Sequence, residues 1–380
     1  MATQAYKQDG VDIAAGDSFS KFAGNVCRST FEFSPFVRVR EDTQHFRGSR
    51  DYVFVEEKLP SGHGEVKRND GCGTKPIIIS AARAYKLAAN DLLSMPNGDI
   101  VRQGGLPLVA TNDLTVSELG EAGTPRNEAF RTLIAGIYTA AAQEGVVMFS
   151  GETAEVGPCV GSDDPDAMTK FLWSADVVGK SHPAFTINAR GLTPGLVIVA
   201  LPENGFRVNG YSSFRKALRL KYGERYFDNP EAEEAIRQGA APSTLYTRFL
   251  THINGWNEHL KRHVEIKAIA HITGGGIVGK FAEDILFPQG LSADLSNLYP
   301  PPDIMQKCRE WRGMDEEEAY RTFNGGQAFL VVIPSRDVDQ FLSLARKFGH
   351  DARICGEIVY NKSPRLLIKS GYSGRVLTFP

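Results

Sequence analysis

The sequence predicts an α+β protein of two domains. Strand-like and helix-like apolar patterns are interleaved in both halves, without the strict βαβ period of a doubly wound sheet. A turn-rich stretch from Ser181-His182-Pro183 to Thr193-Pro194-Gly195 interrupts the middle of the chain. The length, 380 residues, is enough for roughly two to three domains of ordinary size. We therefore expect domains over residues 1–182 and 183–380.

In the first half, short apolar runs predict strands at Tyr52–Val55, Pro76–Ile79, Leu106–Ala110, Gly145–Phe149 and Phe171–Val178. Phe130, Leu133, Ile134, Ile137, Tyr138 and Ala141 recur at helical spacing and predict a helix over Glu128–Gln143. A second helix, Ser80–Met95, is expected to stop at Pro96 and Asn97-Gly98. In the second half, strands are expected at Leu196–Leu201, Val264–His271, Phe329–Ile333, Arg353–Val359 and Leu366–Lys369. Helices are expected after Tyr211 and over Ser243–Leu260, Gly279–Leu286 and Asp337–Phe348.

Composition narrows the function classes. An apolar content of 42% with 23% charged residues excludes wholesale disorder. With 43 Lys+Arg against 45 Asp+Glu the net charge is −2, which gives no global attraction to nucleic acid or anionic lipid. A charged substrate then needs a local site. The five cysteines, at 27, 72, 159, 308 and 355, are odd in number, widely spaced and contain no CxxC pair. That pattern suggests neither a disulfide framework nor a zinc site, and fits a reducing, cytoplasmic setting. No secretory pattern opens the sequence and no run of about 18 apolar residues occurs, so no membrane or nucleic-acid partner is expected. Glycine, at 38 of 380 residues or one in ten, exceeds the usual ~7%.

Five glycine-bearing motifs could carry chemistry. In Asn69-Asp70-Gly71-Cys72-Gly73-Thr74-Lys75 the glycines let backbone N–H groups approach an anion, Lys75 adds charge and Asp70 can hold a magnesium ion. The spacing is not that of a Walker A loop, and a tight turn between two strands explains it equally well. Gly151-Glu152-Thr153-Ala154-Glu155 follows a predicted strand and suits a metal beside a phosphate chain, or else a helix N-terminus. Asp91 and Asp99 could join the same acidic cluster, or act as caps.

Asn209-Gly210-Tyr211-Ser212, followed by Arg215, could hold a phosphate at a helix start, or form an Asn-Gly turn with a Ser cap. His271-Ile272-Thr273-Gly274-Gly275-Gly276 ends a strand. Three bare residues in a row favour close approach of a ligand over a flexible loop; His271 could orient a substrate or move a proton, or be a satisfied core histidine. Tyr320-Arg321-Thr322-Phe323-Asn324-Gly325-Gly326 reads locally as an ordinary turn into a strand. His259 and His263 sit at i, i+4 on a predicted charged helix face, without a third ligand.

In this order, and together with Tyr6-Lys7-x-x-Gly10-Val11-Asp12-Ile13-x-x-Gly16, the motifs resemble the phosphoribosylformylglycinamidine cyclo-ligase, or aminoimidazole ribonucleotide synthetase, family. The likeness runs from Tyr6 to about Val359. The resemblance implies a two-domain fold in which an N-terminal sheet domain dimerises and the C-terminal domain is an α/β sandwich. It implies ATP-dependent ring closure of formylglycinamidine ribonucleotide in purine synthesis by a homodimer. ATP would meet Gly71, Gly73, Thr74, Lys75, Asp91, Asp99 and Glu152, with magnesium on Asp70, Asp99 and Glu152 and potassium as a candidate further ion. The nucleotide substrate would meet Asn209, Gly210, Tyr211, Ser212, Thr273, Gly274 and Gly275. Asp70, Lys75 and His271 would be the catalytic set. Phosphoryl transfer needs positioning and charge neutralisation more than a protein nucleophile, which suits residues of these kinds.

The chain departs from the family pattern in four places. Ser34–Arg40 lacks the family's glycines, and Gly98-Asp99-Ile100 replaces Asn-Asp-Leu. Arg207-Val208 stands where the family has His and Ser. Gly279-Lys280 and Glu283-Asp284 stand where it has Glu-Asn and Pro-Arg. These departures keep two other readings in view: a sister ATP-dependent synthetase or kinase, and a non-catalytic nucleotide-binding paralog.

Overall fold

The computed structural model describes residues 13–42, 49–54 and 59–380; the Tyr6–Asp12 part of the opening motif lies outside the described residues. The chain divides into two compact units. Unit 1 comprises residues 1–100 and 106–182, and unit 2 comprises residues 101–105 and 183–380.

Unit 1 begins with α1 (Ile13–Arg28) and a two-stranded hairpin, β1 (Val37–Asp42) with β2 (Ser49–Phe54). Then come β3 (Gly64–Gly71), α2 (Lys75–Ala82), α3 (Ala89–Val101), β4 (Leu106–Val116), α4 (Pro125–Glu144), β5 (Val147–Glu155) and β6 (Phe171–Ser181). The main sheet has the order β3-β6-β4-β5, with β4 and β5 parallel and the other pairs antiparallel. Along β6, Phe171, Trp173, Ala175 and Val177 are buried, alternating with more accessible residues. One face therefore packs on the helices while the other carries Leu172, 50% exposed. Thr124 caps α4 by accepting from the Asn127 N–H, and Pro125 occupies the first turn, where no N–H is needed. Phe130 of α4 meets Phe171 of β6 edge-on at 5.9 Å.

Unit 2 contains β7 (Val197–Pro202), α5 (Tyr211–Tyr222), α6 (Glu233–Gly239), α7 (Thr247–Asn254), β8 (Ala268–His271), the wide-turned α8 (Val278–Leu286) and β9 (Ser292–Leu295). It ends with α9 (Asp303–Arg312), α10 (Glu316–Thr322), β10 (Gln327–Ile333), α11 (Val338–Lys347), β11 (Arg353–Val359), β12 (Leu366–Lys369) and β13 (Val376–Phe379). Its seven strands have the order β13-β12-β9-β11-β7-β10-β8. Ile198 and Ala200 of β7 pack into one core with Phe281 and Ile285 of α8. Val199 and Leu201 pack into another with Phe249 of α7 and Phe341 of α11. Helices thus cover both faces, as a strand without polar alternation requires. The two-domain α+β class holds.

Several local expectations change. Pro76–Ile79, read as a strand, is the first turn of α2. A run of three isoleucines does not distinguish strand from buried helix, and Pro76 fits a helix start. The expected helix Ser80–Met95 is instead broken at Arg83, whose φ is 51°, and α3 then continues through Pro96 to Val101. Proline removes one helical N–H. The loss is outweighed because Leu92, Leu93, Met95 and Ile100 are buried and Asn97 Nδ2 donates to Glu144 Oε2 at 2.7 Å. The helix expected over Ser243–Leu260 spans only Thr247–Asn254 and ends at Gly255, φ 120°. His259 and His263 therefore do not share a helix face; His263 stacks on His252 at 5.0 Å. Gly151–Glu155 is neither a loop nor a helix start but the second half of β5.

Candidate functional site

In unit 1 the Asp70–Lys75 motif is the junction where β3 ends and α2 begins, not a turn between strands. The Cys72 N–H donates to the Trp173 carbonyl at 2.8 Å and the Lys75 N–H to the Cys72 carbonyl at 3.1 Å, which folds the motif back over β6. Asp70 Oδ1 accepts from the Gly71 N–H at 2.7 Å. Burial pushes the Asp70 carboxyl above the usual range against that bond, and the negative charge of Asp99 on α3 adds to the rise. Asp70 is thus a partly buried carboxylate that feels the charge of a second one, a cost that a cation would relieve.

Lys75 is placed differently. Its Nζ lies 2.7 Å from Asp91 Oδ1, with the two side chains 0% and 1% exposed. The pair ties α2 to α3. Glu152 lies apart from Asp70: one rung of the sheet runs Asp70–Ala175–Asn112–Gly151. Three inter-strand spacings therefore separate Asp70 from the β5 position beside Glu152, about 14 Å within one chain. Glu152 pairs in register with Asp113. It lines a cavity of about 140 Å³ with Ser20, Cys27, Asn112, Ser150 and Thr153. Among the described residues no group of three or more His, Cys, Asp or Glu side chains is arranged to hold a metal.

In unit 2 the Asn209, His271 and Tyr320 motifs come together. Asn324 Nδ2 donates to the Gly205 carbonyl at 2.9 Å, joining the last loop to the first. A Cβ on Gly210 would lie 2.7 Å from the Phe323 ring, and one on Gly276 only 2.1 Å from the Tyr320 carbonyl oxygen. Those two glycines, with φ of 81° and 61°, are demanded by packing. Gly274 and Gly275 differ: both are exposed, and a Cβ on Gly274 would meet only Asn209 Oδ1, at 3.4 Å. The open side of the loop is thus bare backbone beside Asn209, whose buried Nδ2 has no hydrogen-bond partner. Ser212 is exposed at the start of α5. Tyr211 is not open to a ligand; it is 2% exposed and its hydroxyl donates to the Gly239 carbonyl at 2.7 Å.

Behind this loop lies a buried group that the motif reading missed. Arg207 Nη1 donates to Glu203 Oε2 at 2.7 Å, and Arg207 Nε donates to His271 Nε2 at 3.1 Å. The signal was an i, i+4 Glu203–Arg207 charge pair in an apolar setting at the end of a strand. Asn112, 7% exposed and accepting from Trp173 Nε1 at 3.0 Å, was likewise missed; it is a polar residue at a core position of β4.

Residues 50–173 match the family model described as AIR synthase related protein, N-terminal domain, and residues 193–369 match its C-terminal domain. The chain belongs to the AIR synthase-related family. Among similar relatives in that family, the phosphoribosylformylglycinamidine cyclo-ligase of Oceanobacillus iheyensis is 28% identical, across 94% of this chain and 97% of the relative. Those of Geotalea uraniireducens and Myxococcus xanthus are each 29% identical across 93% of this chain, covering 94% and 95% of their own lengths. The AIR synthase-type fold is shared with Escherichia coli HypE, with a TM-score of 0.55, 17% identity, and 95% of this chain and 96% of that chain covered. Thiamine-monophosphate kinase from Stenotrophomonas maltophilia K279a gives a TM-score of 0.56 at 14% identity, covering 90% and 94%. A hydrogenase maturation protein HypE solved in complex with ATP gives 0.53 at 15%, covering 83% and 84%.

Proposed function

We propose that the protein is a phosphoribosylformylglycinamidine cyclo-ligase, closing formylglycinamidine ribonucleotide to aminoimidazole ribonucleotide with release of ADP and phosphate. The observation that carries this reading is the span of the likeness: relatives of that name align with 93–94% of the chain, and both domains of the family are matched.

The chemistry asks for little from a protein nucleophile. The formamide oxygen takes the γ-phosphoryl group of ATP and ADP leaves. The substrate's own amine nitrogen then attacks the activated carbon, loses a proton, and phosphate departs with the former formamide oxygen. Positioning and charge neutralisation supply the rate. We assign ATP to unit 1, at Asp70–Lys75 with Asp99, and assign Glu152 to nucleotide contact from the cavity it lines with Asn112. The raised Asp70 carboxyl, with Asp99 adding to the rise, supports a magnesium ion that these two carboxylates would hold together with phosphate oxygens. Such an ion neutralises the charge of the phosphates. Lys75, closed against Asp91, fixes the floor of this site. Gly73 and Thr74 present backbone N–H groups, Gly71 holds the Asp70 carboxylate through its own N–H, and Asp91 acts through Lys75.

The nucleotide substrate is assigned to unit 2. The exposed backbone of Gly274 and Gly275, with Thr273, Asn209 and Ser212, forms its phosphate and amide contacts, and His271 stands at the foot of that loop. Gly210 and Tyr211 shape the loop from behind. We further assign a homodimer formed through the unit 1 sheet, as the family resemblance implies, with the exposed Leu172 on its outer face as the residue to test. A cytoplasmic setting is supported by five free thiols, and no described helix is long and apolar enough to cross a membrane.

A coupled ADP-release assay with formylglycinamidine ribonucleotide tests the function. Turnover is the expected result. ATP binding without turnover, or turnover with another acceptor alone, would overturn it in favour of a non-catalytic paralog or a sister enzyme.

A further inference from the structure

His271 is the last residue of β8, 1% exposed, with its ring stacked on Phe329 at 4.8 Å and 15°. Its Nε2 lies 3.1 Å from Arg207 Nε. A guanidinium N–H can only donate, so Nε2 is the acceptor and the ring proton resides on Nδ1. Arg207 cannot easily turn away. Its Nη1 also donates to Glu203 Oε2 at 2.7 Å and to the Thr244 carbonyl at 3.2 Å. Glu203 is itself fixed by the N–H and hydroxyl of Thr244, each 3.2 Å from Oε1. Arg207 and Glu203 side chains are 1% and 0% exposed.

The backbone adds an independent observation. Arg207 has φ 59°, a left-handed conformation that a glycine would adopt without strain. The chain nevertheless places arginine here, with its side chain 1% exposed. A strained backbone retained with a large buried side chain indicates a role for that side chain.

We infer that Arg207 is a positioning residue that locks His271 as its neutral Nδ1–H tautomer, so that the ring stays uncharged at the foot of the glycine loop and does not shuttle a proton. Of the charged side chains here, Arg207 bonds the ring directly and Glu203 bonds Arg207. Glu203 is committed to the guanidinium, and the Tyr246 hydroxyl donates to the Pro202 carbonyl at 2.7 Å. A protonated imidazole would place a second positive charge at hydrogen-bond distance from Arg207, away from water. The proton lost during ring closure therefore leaves by another route.

The tautomer is testable without turnover; only the kinetic measurement rests on the cyclo-ligase reading. The full chain is labelled with 15N-histidine, and the His271 signals are identified by their loss in His271→Gln. The expected result is an Nδ1–H pattern that does not titrate between about pH 5.5 and 8.5. An Nε2–H pattern, or a midpoint near ~6.5, would overturn the inference. In Arg207→Lys, Glu203 keeps a counter-charge but the fixed fork is lost. His271 is then expected to titrate, and kcat/KM to gain an acid limb that the parent lacks, with KM for ATP unchanged. An unaltered pH profile in that variant would also overturn it. If Arg207→Lys does not fold, the spectrum of the parent protein decides alone.

Discussion

Lys75 Nζ and Asp91 Oδ1 lie 2.7 Å apart with both side chains shut off from solvent. The residue that the motif offers to a phosphate is thus also the buried tie between α2 and α3. Truncating one member of such a pair leaves a charge in a low-dielectric interior. Asp91→Asn is expected to cost roughly 3–5 kcal/mol in a denaturant titration. The double change Asp91→Asn/Lys75→Met should recover most of that loss without recovering activity. A single variant with an unshifted midpoint would show that the pair does not matter to the fold.

Asp70 should behave in the opposite sense. Burial and Asp99 hold its carboxyl above the ordinary range, so it is protonated more readily in the folded chain than in the unfolded one. A raised folded value contributes stability at pH below the unfolded value, and that contribution is lost as pH rises through the folded value. At pH 7 the ionised group therefore weighs against the ligand-free fold. Asp70→Asn is expected to raise the ligand-free Tm by a few degrees at pH 7. The advantage should shrink as the pH falls towards the ordinary aspartate range, and most ATP-dependent activity should disappear. The thermal shift produced by ATP and magnesium together should be lost in the same variant; full activity would remove Asp70 from the site.

The glycine loop separates packing from binding. In Gly276→Ala the new Cβ would sit 2.1 Å from the Tyr320 carbonyl oxygen at φ 61°, a clash expected to cost roughly 3–5 kcal/mol. Gly274→Ala meets only Asn209 Oδ1 at 3.4 Å. It should change stability by no more than about 0.5 kcal/mol while raising KM for the nucleotide substrate several-fold. Equal loss of stability in both variants would contradict this division.

Leu172 tests the assembly. It is half exposed near the start of β6, on the same face as Ser174 and Asp176. Leu172→Glu is expected to shift the chain from dimer to monomer in sedimentation velocity at micromolar concentration, with both units still folded by circular dichroism. A parent chain that sediments as a monomer would refute the dimer outright.

Much of the fold was legible because packing and periodicity agree there. β11 and β12 coincide with their apolar runs, and α4 extends its predicted helix by only a few residues, to a Thr124 cap and the left-handed Gly145. The failures share a different cause. Pro76–Ile79 and Ser80–Met95 differ from their sequence readings because the local signals of run length and proline are overruled by burial, of Ile78 and Ile79 in α2 and of Leu92, Leu93 and Ile100 in α3. β3 was missed because its residues are largely accessible and polar, so no alternation announced it. The site shows the same division. Asp70, Gly274 and Asn209 announce themselves in the sequence, but the pairing of Glu203 with Arg207 and of Arg207 with His271 does not.

The sequence alone determined which residue types are available to this protein: bare glycines, carboxylates and Lys75 in an order shared with one enzyme family, on a chain of nearly balanced charge. Those are local properties, carried by neighbouring residues whatever the fold. Tertiary structure decided what each can do. It buried Lys75 against Asp91, set Asp70 within the field of Asp99 and three strands from Glu152, and made Gly276 a packing necessity while leaving Gly274 bare. It also turned Arg207 onto His271. Burial and hydrogen-bond geometry depend on residues distant in the chain, and they fix both charge state and access, so these roles could be read only from the folded molecule.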